Sequence, residues 1–354
     1  MKIIIPLVGS FGKSGGFRVL SKLSNYWIEE GHDVIFLSYV NGDLPYFPTK
    51  AKLLYYDNKG NVVEHQNNDS AVLTFGMFRL RKFLRKALDT LEADVVLANH
   101  SFSALPVKNS KIKAKKCYYV QAYEPEFYGE KGLKNYILRR ISKNSYTLGL
   151  DIIVNALMYQ NYKELKTDKV VFPGLDLNTF KPLSLSKNGN KIILGTIGRS
   201  EIHKGTIYIL EAFKLLRKEL GTKIELHIAF GEKDLENFEG IKVVTPDGDH
   251  KLAEYYNSLD AYICGGILQM EAIHYPVIES MACGVPVITT GYYPASLDNA
   301  FMVPIKNSEA IKDAVMEFID NPILAELKKN RAFTNIEQFD WKLISQKMLT
   351  YFSQ

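Results

Sequence analysis

The chain has 354 residues, of which 46% are hydrophobic and 23% are charged, with a net charge of +5. This composition indicates an ordinary globular protein that is long enough for two domains. The three cysteines have no ligand spacing and give no support to a disulfide framework or a zinc site. The first apolar run is too short for a signal peptide or a spanning helix, so we expect a cytoplasmic protein.

Positive charge is concentrated in the first half of the chain. Residues 1–170 contain 25 Lys and Arg against 16 Asp and Glu, whereas residues 171–354 contain 19 against 23. A basic first half suits an anionic membrane surface or a phosphate-bearing acceptor. A solvated basic face without a partner is the alternative.

Predicted strands and helices alternate along the first half. The predicted strands are Lys2–Val8, Asp33–Ser38, Asp94–Ala98, Lys116–Gln121, Asp151–Val154 and Lys169–Phe172, with an inserted hairpin of Lys50–Asp57 and Asn61–Glu64. The predicted helices are Gly16–Glu30, Phe75–Leu91 and Tyr159–Leu165. This alternation predicts a parallel sheet covered by helices.

A glycine-rich loop, Gly9–Gly16, joins the first strand to the first helix. Its spacing fits neither a dinucleotide fingerprint nor a P-loop. The loop either only turns the chain or brings the backbone N–H groups of Gly15 and Gly16 to a phosphate or an acceptor.

Polar residues follow two later strands of this half. His100 comes after Asp94–Ala98, and Gln121 and Glu124 come after the next strand, on the edge where ligands bind in such sheets. We expect His100 to hydrogen-bond a transferred sugar, and Gln121 and Glu124 to bind the acceptor among aromatic residues that can stack on sugar rings. Purely structural roles are the alternative.

The segment Phe78–Lys86 predicts a basic amphipathic helix. Packing on its own sheet explains its apolar stripe. Phe83 lies among the cations, so docking of this helix on a membrane surface is the alternative interpretation.

A turn-rich link, residues 173–190, precedes a second alternation of strands and helices. The predicted strands are Lys191–Ile197, Lys223–Phe230, Ile241–Val244, Ala261–Cys264 and Val285–Thr289. The predicted helices are Thr206–Leu220, His250–Ser258, a short one from Pro276, Ser308–Ile319, Ile323–Asn330 and Trp341–Phe352. We therefore predict two doubly wound α/β domains, residues 1–172 and 173–337, with a last helix from about 338 to 354 that packs back on the first.

The loop from Gly198 to Gly205 carries two cations between a strand and a helix. Arg199 offers a planar fork of donors and Lys204 a mobile point charge, a combination that suits a diphosphate. A basic surface loop is the alternative.

Asp247 and Asp249 have the spacing of a metal-binding Asp-x-Asp pair but lie in a turn just before a helix. We interpret Asp249 as the N-cap of that helix and expect no metal ion.

Two glutamates eight positions apart, Glu271 and Glu279, flank the start of a short helix. Pro276 is placed to open that helix and Gly284 to close it. Loop N–H groups and a helix N-terminus attract phosphates, and carboxylates accept hydrogen bonds from sugar hydroxyls. The pair can therefore hold a ribose and a hexose on either side of a diphosphate.

Together these motifs resemble the GT-B-fold retaining glycosyltransferases of family 4. The resemblance spans nearly the whole chain, since it also includes Glu30–Val34 and Val171–Asp176. It implies that Arg199 and Lys204 bind the donor diphosphate and that Glu279 binds the ribose. It implies further that Glu271 and His100 contact the sugar, while Gly15, Gly16 and Gly198 approach the nucleotide.

One segment departs from the family pattern. The family places Gly-Phe-Gly after the first glutamate, whereas this chain has Ala272-Ile273-His274. The strings Gln121–Pro125 and Tyr275-Pro276 are similar to bacterial rhamnosyltransferases that use a dTDP-sugar, which adds Tyr275 to the nucleotide-binding residues.

The expected activity is transfer of a sugar from a nucleoside diphosphate to a saccharide or lipid-linked acceptor in cell-surface polysaccharide synthesis, with retained anomeric configuration. dTDP-rhamnose is the favoured donor, with a UDP- or GDP-sugar possible. No cofactor, metal or nucleic-acid partner is expected, and peripheral contact with an anionic inner membrane face is open. A nucleotide-sugar epimerase or hydrolase and a non-catalytic sugar-binding subunit are the alternatives.

Overall fold

A computed structural model describes residues 1–66, 76–184, 191–198, 201–268 and 271–354. The chain divides into two compact units. The first comprises Met1–Gly174 and Trp341–Gln354, and the second comprises Leu175–Asp340. The predicted division falls after residue 172.

The first unit is built on a mostly parallel sheet. Its strands are β1 (Lys2–Pro6), β2 (Asp33–Tyr39), β3 (Lys52–Tyr56), β4 (Val62–Val63), β5 (Val95–Ala98), β6 (Lys115–Val120) and β7 (Asp151–Val154). Among the described residues they form a seven-stranded sheet in the order β4-β3-β2-β1-β5-β6-β7. Only β4 runs antiparallel to its neighbour, which makes β3 and β4 the predicted hairpin. Apolar runs such as Ile3–Ile5 are fully buried, as expected of strands covered on both faces.

Helices cover this sheet: α1 (Gly15–Glu29), α2 (Gly76–Leu88), α3 (Ser101–Asn109) and α4 (Leu133–Ser145). The predicted apolar stripe of α2 is buried at Leu80, Leu84, Ala87 and Leu88.

The second unit repeats the plan on a parallel sheet. Its strands are β8 (Ile192–Ile197), β9 (Ile224–Ala229), β10 (Ile241–Val244), β11 (Ala261–Cys264), β12 (Val287–Thr289) and β13 (Phe301–Met302). Its helices are α5 (Thr206–Leu220), α6 (Gly248–Asn257), α7 (Tyr275–Ala282), α8 (Ser308–Asp320) and α9 (Pro322–Ile336). The strand order is β10-β9-β8-β11-β12-β13, so the direction of winding reverses between β8 and β11.

The last helix, α10 (Trp341–Ser353), belongs to the first unit. The indole N–H of Trp27 on α1 donates to the carbonyl of Ser345 at 3.2 Å. Tyr26 stacks on Trp341 with ring centroids 6.4 Å apart. Among the described residues, none of the helices has the length and apolar composition needed to span a bilayer.

The structure corrects several predicted elements. α3 and α4 have no counterpart in the prediction, because α3 contains Pro106 and the buried residues of α4 are only Ser142 and Ser145, which leaves no apolar stripe. The predicted helix Tyr159–Leu165 is a short 3-10 turn at Leu157–Asn161. The predicted strand Lys169–Phe172 is reduced to one bridge, between Val154 and Val170.

The N-cap of α6 also differs from the prediction. It is Asp247, and Asp249 lies in the first turn. A carboxylate there still suits the helix dipole. Within the described ranges, no three His, Cys, Asp or Glu side chains lie close enough together to hold a metal ion.

Candidate functional site

In the first unit, a cavity of about 430 Å³ lies beside the carboxyl ends of β1, β5 and β6. The order of the sheet reverses between β1 and β5, and ligands of doubly wound sheets bind at such a point. Gly16, His100, Gln121 and Glu124 all line this cavity. Four predicted residues from three separate segments are therefore brought together.

The start of α1 forms one wall. The helix begins at Gly15 and has no acidic side chain in its first turn, and the side chain of its N-cap residue, Ser14, makes no capping hydrogen bond. N–H groups at the start of a helix have no carbonyl partner one turn earlier, so those of Gly15 and Gly16 suit an anion or a hydroxyl. A Cβ atom on Gly16 would lie 3.2 Å from Nε2 of Gln121, so glycine allows this close packing. The buried Oε1 of Gln121 accepts no hydrogen bond from the described residues. This oxygen can accept a hydrogen bond from a hydroxyl group of a ligand.

His100 lies at the N-cap of α3. Its Nδ1 accepts a hydrogen bond from the backbone N–H of Phe102 at 3.1 Å, and the ring stacks on that of Phe102. Its Nε2 lies 3.3 Å from Oε2 of Glu124. The His100 side chain is half exposed, so one side of the imidazole is open to a ligand.

Glu124 is buried and has partners within the protein. Its Oε1 accepts from the backbone N–H of Ser101 at 2.8 Å and from the hydroxyl of Tyr118 at 3.1 Å. Its Oε2 accepts from the hydroxyl of Ser101. Burial raises the pKa of Tyr118 well above its ordinary value, and the charge of Glu124 raises it further, so Tyr118 remains a hydrogen-bond donor.

In the second unit, the loop after β8 packs on the loop after β11. A Cβ atom on Gly198 would overlap the side chain of Ile228, and one on Gly205 would overlap the carbonyl oxygen of Gly265. Gly205 also has φ of +69°, a left-handed conformation that favours glycine. Glycine at these positions therefore lets the cationic loop lie directly on the sheet edge. Arg199 lies outside the described residues.

Lys204 lies within electrostatic reach of the end of β11. Burial raises the pKa of the Cys264 thiol to about 11, and the charge of Lys204 acts in the opposite direction. The loop that carries Lys204 contacts the segment after β11 directly, since the N–H of Ile267 donates to the carbonyl of His203 at 3.0 Å.

Glu271 is exposed and has φ of +74°, which is unusual for a residue with a side chain. Its N–H donates to the carbonyl of Gly291 at 2.8 Å, which ties the loop to the end of β12. Such backbone strain is concentrated at functional sites.

α7 begins at Tyr275, with Pro276 in its first turn and Gly284, at φ of +70°, just after its end. The predicted helix start and stop are therefore confirmed. His274 precedes the helix and stacks on Tyr292 with ring centroids 4.6 Å apart. The sequence gives no sign of this stacked pair.

Glu279 is only 2% exposed. Its Oε2 accepts a hydrogen bond from the hydroxyl of Tyr256 at 2.9 Å. Burial, followed by the charge of Glu279, raises the pKa of Tyr256 well above its ordinary value, so Tyr256 also stays a donor.

In the second unit, Gly198 and Lys204 follow the carboxyl end of β8, while Glu271, Tyr275 and Glu279 lie on the loop and the helix that follow β11. β8 and β11 are neighbours in the sheet, so both segments begin at the same edge of it. Sequence reasoning missed Ser101, Tyr118 and Tyr256 as the partners of Glu124 and Glu279, because a hydrogen bond between side chains of different elements leaves no pattern in the sequence, even when the partner, such as Ser101, is next to a predicted site residue.

The whole chain is similar to solved structures of one fold class. Sucrose-phosphate synthase from Thermosynechococcus elongatus aligns with 100% of this chain and 98% of its own, at a TM-score of 0.71 and 16% identity. HepE from Anabaena, in a structure with UDP and glucose, aligns with 100% of both chains at a TM-score of 0.71 and 15% identity. The chain has the GT-B fold of two Rossmann-like domains, and the predicted fold class is confirmed.

Sequence comparison adds a family match. Residues 179–335 match the model of the family described as glycosyl transferases group 1. An uncharacterized glycosyltransferase of Methanocaldococcus jannaschii is 25% identical over 224 residues, which are 56% of this chain and 56% of that protein. The chain therefore spans little more than half the length of this curated relative. Residues 179–335 are thus similar to the glycosyl transferases group 1, and the whole chain has the fold of the solved structures.

Proposed function

We propose that this protein is a glycosyltransferase that moves a sugar from a nucleoside diphosphate to a saccharide or lipid-linked acceptor in cell-surface polysaccharide synthesis. One feature of the topology supports the proposal: Lys204 follows the carboxyl end of β8, and Glu271 and Glu279 lie on the loop and the helix that follow β11, the strand paired with β8. That combination offers a cation and helix N–H groups to a diphosphate and two carboxylates to sugar hydroxyls. The family match of residues 179–335 supports the same reading.

The roles of the groups follow from the charge that develops in the reaction. As the bond to the sugar breaks, negative charge grows on the diphosphate, and Lys204 together with Arg199 stabilises it. Preorganised charges of this kind lower a barrier by several kcal/mol, about 3 to 4 for one donor. Glu279 binds the ribose, Glu271 the sugar, and the N–H groups of Gly15 and Gly16 a phosphate or the acceptor. We propose a retaining route without a metal ion, in which an oxygen of the leaving group helps to deprotonate the acceptor.

The donor we favour is dTDP-rhamnose. His274 stands where the family has the second glycine of Gly-Phe-Gly, and its ring stacks on that of Tyr292, which gives an aromatic surface just before Tyr275. A 6-deoxy sugar carries a methyl group that suits such a surface. HepE was crystallised with UDP-glucose, which makes a UDP-sugar the main competing donor.

On the acceptor side, the cavity of the first unit supplies His100 and the unpaired Oε1 of Gln121. We propose that Oε1 of Gln121 accepts a hydrogen bond from a hydroxyl group of the acceptor sugar. We also propose that His100 contacts the transferred sugar. A direct acceptor contact of Glu124 remains a prediction.

We further propose that the first unit binds peripherally to the cytoplasmic face of an anionic membrane. A groove of about 440 Å³ between α2 and α3 is lined by Phe78, Arg81, Lys82 and Arg85, among others. Arg81 lies over the ring of Phe102, and burial lowers the pKa of its guanidinium. Within the described ranges, no carboxylate pairs with any of these three cations. The exposed Phe78 beside unpaired cations is typical of a surface that binds lipid headgroups.

The activity is tested with a panel of dTDP-, UDP- and GDP-sugars. A true donor raises the melting temperature by mass action, and it should transfer sugar when acceptor is added. Turnover of the donor without any acceptor would identify an epimerase or hydrolase instead. Binding without turnover, with Lys204→Ala changing nothing, would identify a non-catalytic subunit.

Membrane contact is tested by flotation with vesicles of phosphatidylglycerol and phosphatidylcholine. The double variant Lys82→Gln, Arg85→Gln should lose binding. The control is Lys50→Gln, Lys52→Gln, which removes the same charge from lysines that already pair with Glu29 and Glu64. Equal losses in both variants would attribute binding to net charge and refute a specific surface.

A further inference from the structure

The four groups that surround the carboxylate of Glu124 account for all of its hydrogen-bonding capacity. The backbone N–H of Ser101 and the hydroxyl of Tyr118 donate to Oε1. The hydroxyl of Ser101 donates to Oε2, and Nε2 of His100 lies 3.3 Å from the same oxygen. A carboxylate has about four lone-pair sites, so Glu124 has none left for an acceptor sugar.

The same contacts determine where the proton of His100 lies. The backbone N–H of Phe102 can only donate, so Nδ1, at 3.1 Å, must be the unprotonated nitrogen. The neutral ring then carries its proton on Nε2, which points at Oε2 of Glu124. Both neighbours therefore select one tautomer.

A distance of 3.3 Å is long for this kind of hydrogen bond. The Nε2–H group can therefore be shared with an oxygen of a ligand in the cavity that His100 and Glu124 both line. Hydrogen bonds of this kind are often long without substrate and shorten in the complex.

We infer that His100 acts as a hydrogen-bond donor through Nε2–H, and that Glu124 is the positioning residue that fixes its tautomer and orientation. The inference rests on the proposed function, because it deepens the contact between His100 and the transferred sugar. It makes His100 neither a base nor a nucleophile, since its only lone pair is bound at the start of α3. It also gives Glu124 a role through His100 in place of a direct contact with the acceptor.

Glu124→Gln is the most informative variant. The amide oxygen must stay opposite the backbone N–H of Ser101, so the amide –NH₂ group faces His100. Two donors would then oppose each other unless the imidazole proton moves to Nδ1, and that move breaks the bond from Phe102. The expected result is a changed tautomer and a kcat lower by about 10- to 100-fold, as for one hydrogen bond lost or misdirected, with the acceptor KM unchanged.

Tyr118→Phe is the matched control. It removes one of the four donors from the same carboxylate and leaves the contact with His100 in place. We expect the tautomer of the unmodified protein and a kcat that falls much less than in Glu124→Gln, because the contact that fixes the His100 proton is kept.

The tautomer is read from two-bond ¹H–¹⁵N spectra of the full chain, which distinguish protonated from unprotonated ring nitrogens. The chain has seven histidines, and the His100 signals are assigned by their loss in His100→Gln. A proton on Nδ1 in the unmodified protein overturns the inference, even if Glu124→Gln does not fold. A raised acceptor KM with unchanged kcat in Glu124→Gln overturns it in favour of direct acceptor binding. If no donor yields transfer, the proposed function fails, and the spectra still decide whether Glu124 positions His100.

Discussion

Replacing Gly205 by Ala tests whether the loop that carries Lys204 is held by backbone contact with the end of β11. Gly205 has φ of +69°, so a side chain there costs about 1–2 kcal/mol in backbone strain. The new Cβ atom would also overlap the carbonyl oxygen of Gly265, which is backbone and cannot rotate away. Forced overpacking adds about 1–3 kcal/mol. We therefore expect the second unit to lose about 2–5 kcal/mol of unfolding free energy and most of its affinity for a nucleoside diphosphate.

Gly248→Ala is the matched control for this variant. Gly248 has φ of +78° in the same unit, but a Cβ atom there meets nothing within 4 Å. This variant should show only the strain, about 1–2 kcal/mol, and should leave nucleotide affinity unchanged. The difference between the two variants measures the contact of the two loops.

The assay is urea unfolding followed by far-UV circular dichroism and by tryptophan emission. Trp27 and Trp341 both lie in the first unit. A transition seen by circular dichroism without a change in emission therefore belongs to the second unit. Equal losses of stability in Gly205→Ala and Gly248→Ala would refute the proposed packing of the two loops.

Three further predictions concern the second unit. Lys204→Ala and Glu279→Ala should each weaken binding of a nucleoside diphosphate about 10- to 100-fold by calorimetry, and unchanged affinity would contradict the assigned role. Tyr256→Phe leaves the buried Glu279 without its donor at 2.9 Å and should cost about 1–3 kcal/mol of stability, with nucleotide affinity falling less than in Glu279→Ala. Burial raises the pKa of Cys264 from 9.0 to about 11. Between pH 9 and pH 11 the thiol is therefore protonated in the native state and largely ionised in the unfolded state. Stability should therefore fall as pH rises from 9 to 11 and should fall less in Cys264→Ala; parallel curves would refute this.

The sheets could be predicted because their strands are buried on both faces. Runs such as Ile3–Ile5 are apolar without interruption, which distinguishes a parallel sheet from the alternating pattern of a half-exposed strand. The ends of α7 could also be predicted, since Pro276 and Gly284 each act through a local backbone rule. These rules need no knowledge of the tertiary structure.

α3 and α4 could not be predicted for the opposite reason. α4 buries Ser142 and Ser145, and their hydroxyls form hydrogen bonds with neighbouring groups. The helix therefore packs on the unit through polar contacts and buries little apolar surface. A helix that packs through small polar residues has no apolar period to read. The same helices support Glu124, because Ser101 of α3 donates to the carboxylate and Ser142 of α4 donates to Ser101.

Glu271 shows why the position of a site residue was easier to predict than its geometry. Its spacing from Glu279 is visible in the sequence, but its left-handed backbone, at φ of +74°, is contrary to the preference of glutamate. The N–H bond to Gly291 and the bridge between Ile273 and Tyr293 hold the loop in this conformation. Local sequence preferences predict relaxed backbone conformations. They fail for a residue such as Glu271, whose strained conformation is enforced by the surrounding structure. The loop that carries Glu271 follows β11 and is tied to Gly291, just after β12, so contacts with a neighbouring strand and not the local sequence determine its conformation.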